Sequence, residues 1–329
     1  MRIVSLVPSA TELVALLTGP DAAPRGNDNH RLVGRSHECD WPTPMVRDVP
    51  ILTAPRITPG APAEIDSQVR AALAASESLY RLDTTRLREL RPDIVITQSL
   101  CSVCSIDATE VERALDEIHP RPRLVTLNPT SFEDLFDDIL TVGTALDREP
   151  AARASIARLR ERFFAASDHV SPWAAPIPTL FLEWTDPMFV AGHWTAQLIE
   201  RAGGESPLNP TTPMPGAGAG AGGQQAHRTA APGRRVTIDE VVLMQPHAAI
   251  ICPCGLDLEA AAKAYEDLRT QAWWRALPAF HNNRIALVDG NQMFNRPGPR
   301  LVDAYEWLVG WLHDVPELIP KNFPWRKAT

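Results

Sequence analysis

Short apolar runs alternate with amphipathic stretches through most of this 329-residue chain. RIVSLVP, at residues 2–8, reads as a buried strand, and SATELVALLTG after it reads as a helix. Ser9 and Glu12 stand there at capping-box spacing, and Gly19 follows the last apolar turn. RLVGRS (31–36), DIVITQ (93–98) and RLVTLN (123–128) predict three further strands, with a Pro-rich connection at 42–62. IDATEVERAL and SFEDLFDDILTVGTAL carry the helical period between and after them. Strands separated by helices in this way predict parallel α/β sheets.

From Glu149 to Ser167 the segment EPAARASIARLRERFFAAS predicts one long helix, with Pro150 in its first turn. The alternation then resumes through PTLFLEW, TAQLIERAGG, AAIICPC, LDLEAAAKAYEDL, RIALVDG and RLVDAYEWLVGWL. The pattern predicts an α/β lobe over 1–148, a connecting helix over 149–170 and a second α/β lobe over 171–329. Residues 210–233, rich in Pro, Gly and Ala, are expected to form a mobile surface loop.

A 44% hydrophobic and 22% charged composition is that of an ordinary globular protein. The net charge of −8 argues against a phosphate-tracking surface, so no nucleic-acid partner is expected. No apolar stretch approaches the roughly 20 residues of a membrane span, so no membrane insertion is expected. The first strand begins at Arg2, leaving no room for a secretory h-region, and the five cysteines are an odd number. Both features lead to the expectation of a cytoplasmic protein with reduced thiols.

In open α/β sheets, ligands sit beyond the carboxyl ends of the strands. That rule selects Ser9 after the first strand and Ser36 to Cys39 after the second. Gln98 to Cys104 follow the third. In the second half it selects Trp184, His193, Trp194, Cys252 to Gly255, and Asn291 to Arg296. Trp41, Trp184, Trp194 and Phe294 bring flat apolar surfaces to these loops. Each has a plainer reading: Ser9 as a helix cap, Trp184 and Trp194 as core, Arg296 as a loop-ordering donor. All five cysteines, Cys39, Cys101, Cys104, Cys252 and Cys254, also follow predicted strands, with His37 two residues from Cys39. The C-x-x-C of Cys101 and Cys104 has three readings: a metal site, a redox pair or two inert thiols. The first predicts that Cys101 and Cys104 share a zinc or iron–sulfur site with further ligands drawn from Cys39, Cys252 and Cys254, and with His37 adding a nitrogen or supporting a ligand.

Six stretches in order carry a resemblance: RIVSLVPSATEL, LVGRSHECDWP, LRPDIVIT, PMFVAGHWTAQLIERAGG, VTIDEVVLMQPHAAII and NNRIALVDGNQMFNRPGPRLVDA. Together they resemble the cobalamin- and metal-chelate-binding proteins of the helical-backbone periplasmic-binding-protein family, the substrate-binding components of ABC transporters. The cobalamin-binding variant is the nearest, on PSATEL and RPGPR. The resemblance implies two Rossmann-like α/β lobes joined by one long backbone helix, with a ligand cleft between the lobes. It implies as ligand cobalamin, another corrinoid, haem or a ferric chelate. A planar macrocycle of that kind would stack on Trp41, Trp184, Trp194 and Phe294, with Ser9, His193 and Arg296 nearby.

Members that deliver their ligand present an acid on each lobe to the transporter. Here Thr85 falls at the first such position, with Glu89 one turn away, and Asp239 at the second. One docking acid is thus replaced, which counts against docking to an ABC transporter. The leading expectation is a chelate-binding protein rather than an enzyme. The alternative is a cysteine-ligated metalloprotein or redox enzyme on the same fold. Neither a G-x-S-x-G elbow nor an H-E-x-x-H pair points to a hydrolase.

Overall fold

A computed structural model describes residues 1–20, 22, 29–75, 77–98, 108–214 and 228–328. The fold is α/β and the chain divides into two compact units. The first holds Met1–Gly60, Glu64–Pro129 and Asp134–Leu159; the second holds Ala61–Ala63, Thr130–Glu133 and Arg160–Thr329.

In the first unit the elements are β1 (Arg2–Ser5), α1 (Pro8–Thr18), β2 (Arg31–Arg35), α2 (Thr43–Val46), β3 (Thr53–Pro55) and α3 (Pro62–Ala74). There follow β4 (Tyr80–Leu82), α4 (Thr84–Leu90), β5 (Ile94–Gln98), α5 (Ala108–Asp116), β6 (Arg123–Leu127) and α6 (Asp134–Ala145). Four strands form a parallel sheet in the order β2-β1-β5-β6. Ile3, Val4, Ile94, Val95 and Ile96 are all almost fully buried. A strand covered on both faces is apolar without alternation, which is why these runs read as strands at all. The chain winds outward from β1 to β2 and, in the other direction, from β5 to β6. The switch point between β1 and β5 is where such a sheet opens a crevice beyond its strand ends. Within the stretch 42–62 that the sequence suggested was a plain Pro-rich connection lies β3, which forms a separate antiparallel pair with β4.

Helix α7 (Glu149–Ser167) spans the predicted 19-residue segment, and the division between the units falls within it. Its second half is fastened inside the second unit. Arg162 pairs with Asp303 at 2.5 Å and with Glu306 at 2.5 Å, and Phe163 stacks on Phe132 at 4.9 Å and on Tyr305 at 4.1 Å.

The second unit contains β7 (Ile177–Thr185), β8 (Met188–Val190), α8 (His193–Arg201), β9 (Gly204–Glu205), β10 (Thr212–Pro213), β11 (Arg228–Thr229) and β12 (Arg234–Arg235). Then come α9 (Ile238–Met244), β13 (Ala248–Ile251), α10 (Leu258–Thr270), α11 (Ala272–Arg275), α12 (Pro278–His281), β14 (Ile285–Val288), α13 (Leu301–Leu312) and β15 (Trp325–Lys327). The sheet order is β12-β8-β7-β13-β14-β15, parallel at its centre and antiparallel at both edges. Leu180, Leu182, Ile251, Trp274 and Leu287 fill its core.

One local expectation is corrected. Helix α1 starts at Pro8 behind Val7, with no side-chain cap, and Ser9 is buried inside its first turn. Proline preorganises the first helical position, so the start moves ahead of the Ser9–Glu12 box. Within 210–233 the described residues include one pairing, Thr212 opposite Thr229, and just beyond it Arg234 lies opposite Val190.

Candidate functional site

The residues after β2 are held by Arg35. Its Nε donates to the Val46 carbonyl at 3.0 Å, and its Nη1 to the carbonyls of Ser36 and Cys39 at 3.1 and 3.0 Å. A rigid guanidinium fork therefore fixes a turn that has no ladder of its own. The β3–β4 pair brings two further residues to this turn. Thr53 Oγ1 donates to Ser36 Oγ at 3.0 Å and accepts the His37 backbone N–H at 3.0 Å. His37 Nδ1 lies 2.6 Å from the same oxygen. The Tyr80 hydroxyl donates to Glu38 Oε1 at 3.1 Å, and its ring centroid is 5.5 Å from that of His37. Burial, and then the Arg35 charge, hold the His37 imidazole below its ordinary pKa of 6.5. Trp41 follows at 38% exposure, the most open of the aromatics expected at the site. Thr53 and Tyr80 escaped sequence reasoning, since three-residue strands carry no readable period.

Cys39 is fully buried, with its thiol 3.9 Å from the Ser5 carbonyl. Cys252 is also fully buried. Burial, with Asp289 and Glu183 adding to it, drives its thiol well above the ordinary range, and the Sγ–H points to the Met293 carbonyl at 3.7 Å. Cys254 is exposed. Cys101 and Cys104 lie outside the described residues. Among the described residues no group of three or more His, Cys, Asp or Glu could hold a metal ion. The described residues thus lend the joint thiol site with His37 no support: Cys39 and Cys252 are buried and Cys254 is exposed.

In the second unit Trp184 is half-buried, its Nε1 shared between the carbonyls of Asp186 at 3.1 Å and Pro62 at 3.2 Å. Trp194 is 7% exposed and Phe294 is 1% exposed, so both, expected as ligand walls, are packed into the second unit. Trp194 Nε1 donates to the Phe294 carbonyl at 2.6 Å, and the Phe294 ring packs edge-on against Phe181 and Trp307. Phe294 (φ 61°) and His193 (φ 48°) both occupy the left-handed region, at a cost of roughly 1–3 kcal/mol each. The indole N–H fastens one of these loops to the helix that begins with the other. Among the described residues His193 Nδ1 is buried without a hydrogen-bond partner, and burial lowers the pKa of the ring. Arg296 is buried and donates to Asn291 Oδ1 at 3.2 Å, while Asn295 Nδ2 donates to the Gly290 carbonyl at 2.8 Å. Both order the loop after β14. Of the positions expected at a ligand site, His37, Trp41, Trp184 and His193 keep accessible surface, while Ser9, Trp194, Phe294 and Arg296 do not.

A family model described as periplasmic binding protein matches residues 3–291. No curated protein matches the chain in sequence. Solved structures share the fold at low identity. The periplasmic heme-binding protein RhuT from Roseiflexus sp. RS-1, in apo form, is 21% identical with a TM-score of 0.65; the match covers 95% of this chain and 98% of that one. The periplasmic vitamin B12 binding protein BtuF of Vibrio cholerae is 16% identical with a TM-score of 0.58, covering 96% and 98%. The periplasmic heme-binding protein HutB of Vibrio cholerae is 16% identical with a TM-score of 0.63, covering 95% and 99%. The expected cytoplasmic location is overturned by this family match and by relatives that are periplasmic proteins. The early start of β1 misled that inference. No helix among the described residues is long and apolar enough to cross a membrane.

Proposed function

The chain belongs to the periplasmic binding protein family, and on that premise we propose that it is a receptor for a metal chelate of the macrocyclic class, a corrinoid such as cobalamin or a haem. The observation that carries the reading is the turn after β2. There Arg35 fixes the turn, Thr53 holds the His37 imidazole, and the Trp41 indole stands open beyond the strand ends. Part-buried hydrogen bonds spent on orienting one ring suit a binding surface. Relatives described as binding heme and vitamin B12 support the ligand class. In the same reading the receptor hands its ligand to an ABC transporter, docking through the exposed acids Glu89 and Asp239.

Titration of the purified protein with hydroxocobalamin, cobinamide and haemin, read by tryptophan emission and by co-elution, tests the proposal. Binding at about micromolar affinity, about −8 kcal/mol, is expected for at least one of them. Absence of both signals for all three would sink it.

A further inference from the structure

We infer that His37 is an axial ligand, its Nε2 coordinating the metal of a chelate that arrives with one axial position free. This inference rests on the reading of the protein as a chelate receptor, and deepens it by naming the atom that meets the metal.

The hydrogens around Thr53 fix the tautomer of His37. A hydroxyl has one hydrogen, and Thr53 gives it to Ser36 Oγ at 3.0 Å. Ser36 Oγ also accepts the Glu38 backbone N–H at 3.3 Å. Thr53 Oγ1 is then an acceptor for both of its other contacts, the His37 backbone N–H at 3.0 Å and His37 Nδ1 at 2.6 Å. Nδ1 must therefore carry the ring proton. In a neutral imidazole that leaves Nε2 with an unshared pair. Among the described residues no group donates to or accepts from Nε2. The ring is half-buried, so this nitrogen is neither sealed in the core nor swung freely in solvent. Burial, and then the Arg35 charge, both disfavour the imidazolium.

This is the arrangement of a metal-ligating histidine: one ring nitrogen fixed by a hydrogen bond, the other presented bare. The surroundings also say which kind of metal. Among the described residues no group of three or more His, Cys, Asp or Glu could hold a metal ion here. A macrocycle brings four equatorial donors of its own and needs one or two axial ones. Coordination forms one N–metal bond and releases the water held at that position. No proton moves, because Nε2 holds none.

The probes are haemin and diaquacobinamide, each with an exchangeable axial water, added to the full-length protein and read by visible absorption and electron paramagnetic resonance. Wild-type protein should give a nitrogen-ligated spectrum with each chelate it binds. His37→Ala should lose that spectrum and weaken affinity tenfold or more, and added imidazole should restore the band. His37→Gln, whose fold is checked by its thermal midpoint, should behave like the alanine variant without the cavity rescue. Thr53→Val should lower the ligated fraction while leaving the band position unchanged, as expected of a positioning residue. Binding by the wild type with a band that survives His37→Gln would overturn this inference and leave the receptor reading standing. Absence of any binding by the wild type would overturn the receptor reading, and this inference with it.

Discussion

Asp138 offers the sharpest quantitative test of the first unit. It lies on α6, which packs against α1, and is only 9% exposed, with Oδ2 lacking a hydrogen-bond partner among the described residues. Burial first, and then the like charges of Asp134 and Asp137, raise its pKa from 3.8 to about 7. The native state thus keeps a proton that the unfolded chain releases near pH 4. Stability is fully present below the unfolded pKa, falls as pH rises, and levels off above about 7. At 1.36 kcal/mol per pH unit over about 3 units, the ionised carboxylate costs roughly 4 kcal/mol at pH 8. About 3 kcal/mol of that change falls between pH 5 and pH 8. Asp138→Asn replaces the carboxyl with a neutral group of the same shape. Urea unfolding of both proteins at pH 5 and pH 8, followed by circular dichroism, measures the difference directly. The variant should gain stability over wild type as pH rises, by about 2–4 kcal/mol across this window. A wild-type-minus-variant difference that stays constant from pH 5 to pH 8 would refute the reasoning, since it would mean that the carboxyl is already ionised, or solvated, at both.

Two further expectations concern the second unit. Trp194→Phe keeps the aromatic packing but strips the donor from the Phe294 carbonyl, and should cost about 1–3 kcal/mol in chemical denaturation; a cost near zero would show that the strained loop does not depend on that bond. Brief alkylation of the native protein, with sites assigned by mass spectrometry, should label exposed Cys254 and spare Cys39 and Cys252 until denaturant is added. Early labelling of either buried thiol would contradict the packing described for it.

Much of the architecture was written locally. The apolar runs at Ile3–Val4 and Ile94–Ile96 have no alternation because both faces are covered, and a run of that kind declares itself without any knowledge of its neighbours. The 19 residues of α7 were legible for the same reason: helical periodicity and a tolerated Pro150 are properties of the segment alone. The rule that ligands sit beyond the strand ends brought attention to His37, Trp41, Trp184 and His193 from strand positions alone. What it left undecided was direction. Trp41, Trp194 and Phe294 look alike in sequence because a residue in a loop has no period to say which way it faces. Only the packed second unit turned Phe294 onto Phe181 and Trp307, with Trp194 tied behind it. The cysteines show the same limit: a common place after strands suggested a common purpose, yet burial sent Cys39 and Cys252 into the core and left Cys254 outside. The setting of His37 is the clearest case. Thr53 is 16 residues away and Tyr80 is 43 residues from His37, and they meet it only because β3 pairs with β4 beside the end of β2. Hydrophobic burial is encoded in the composition of each segment, whereas the proton a histidine keeps depends on partners that only the folded chain brings within 3 Å.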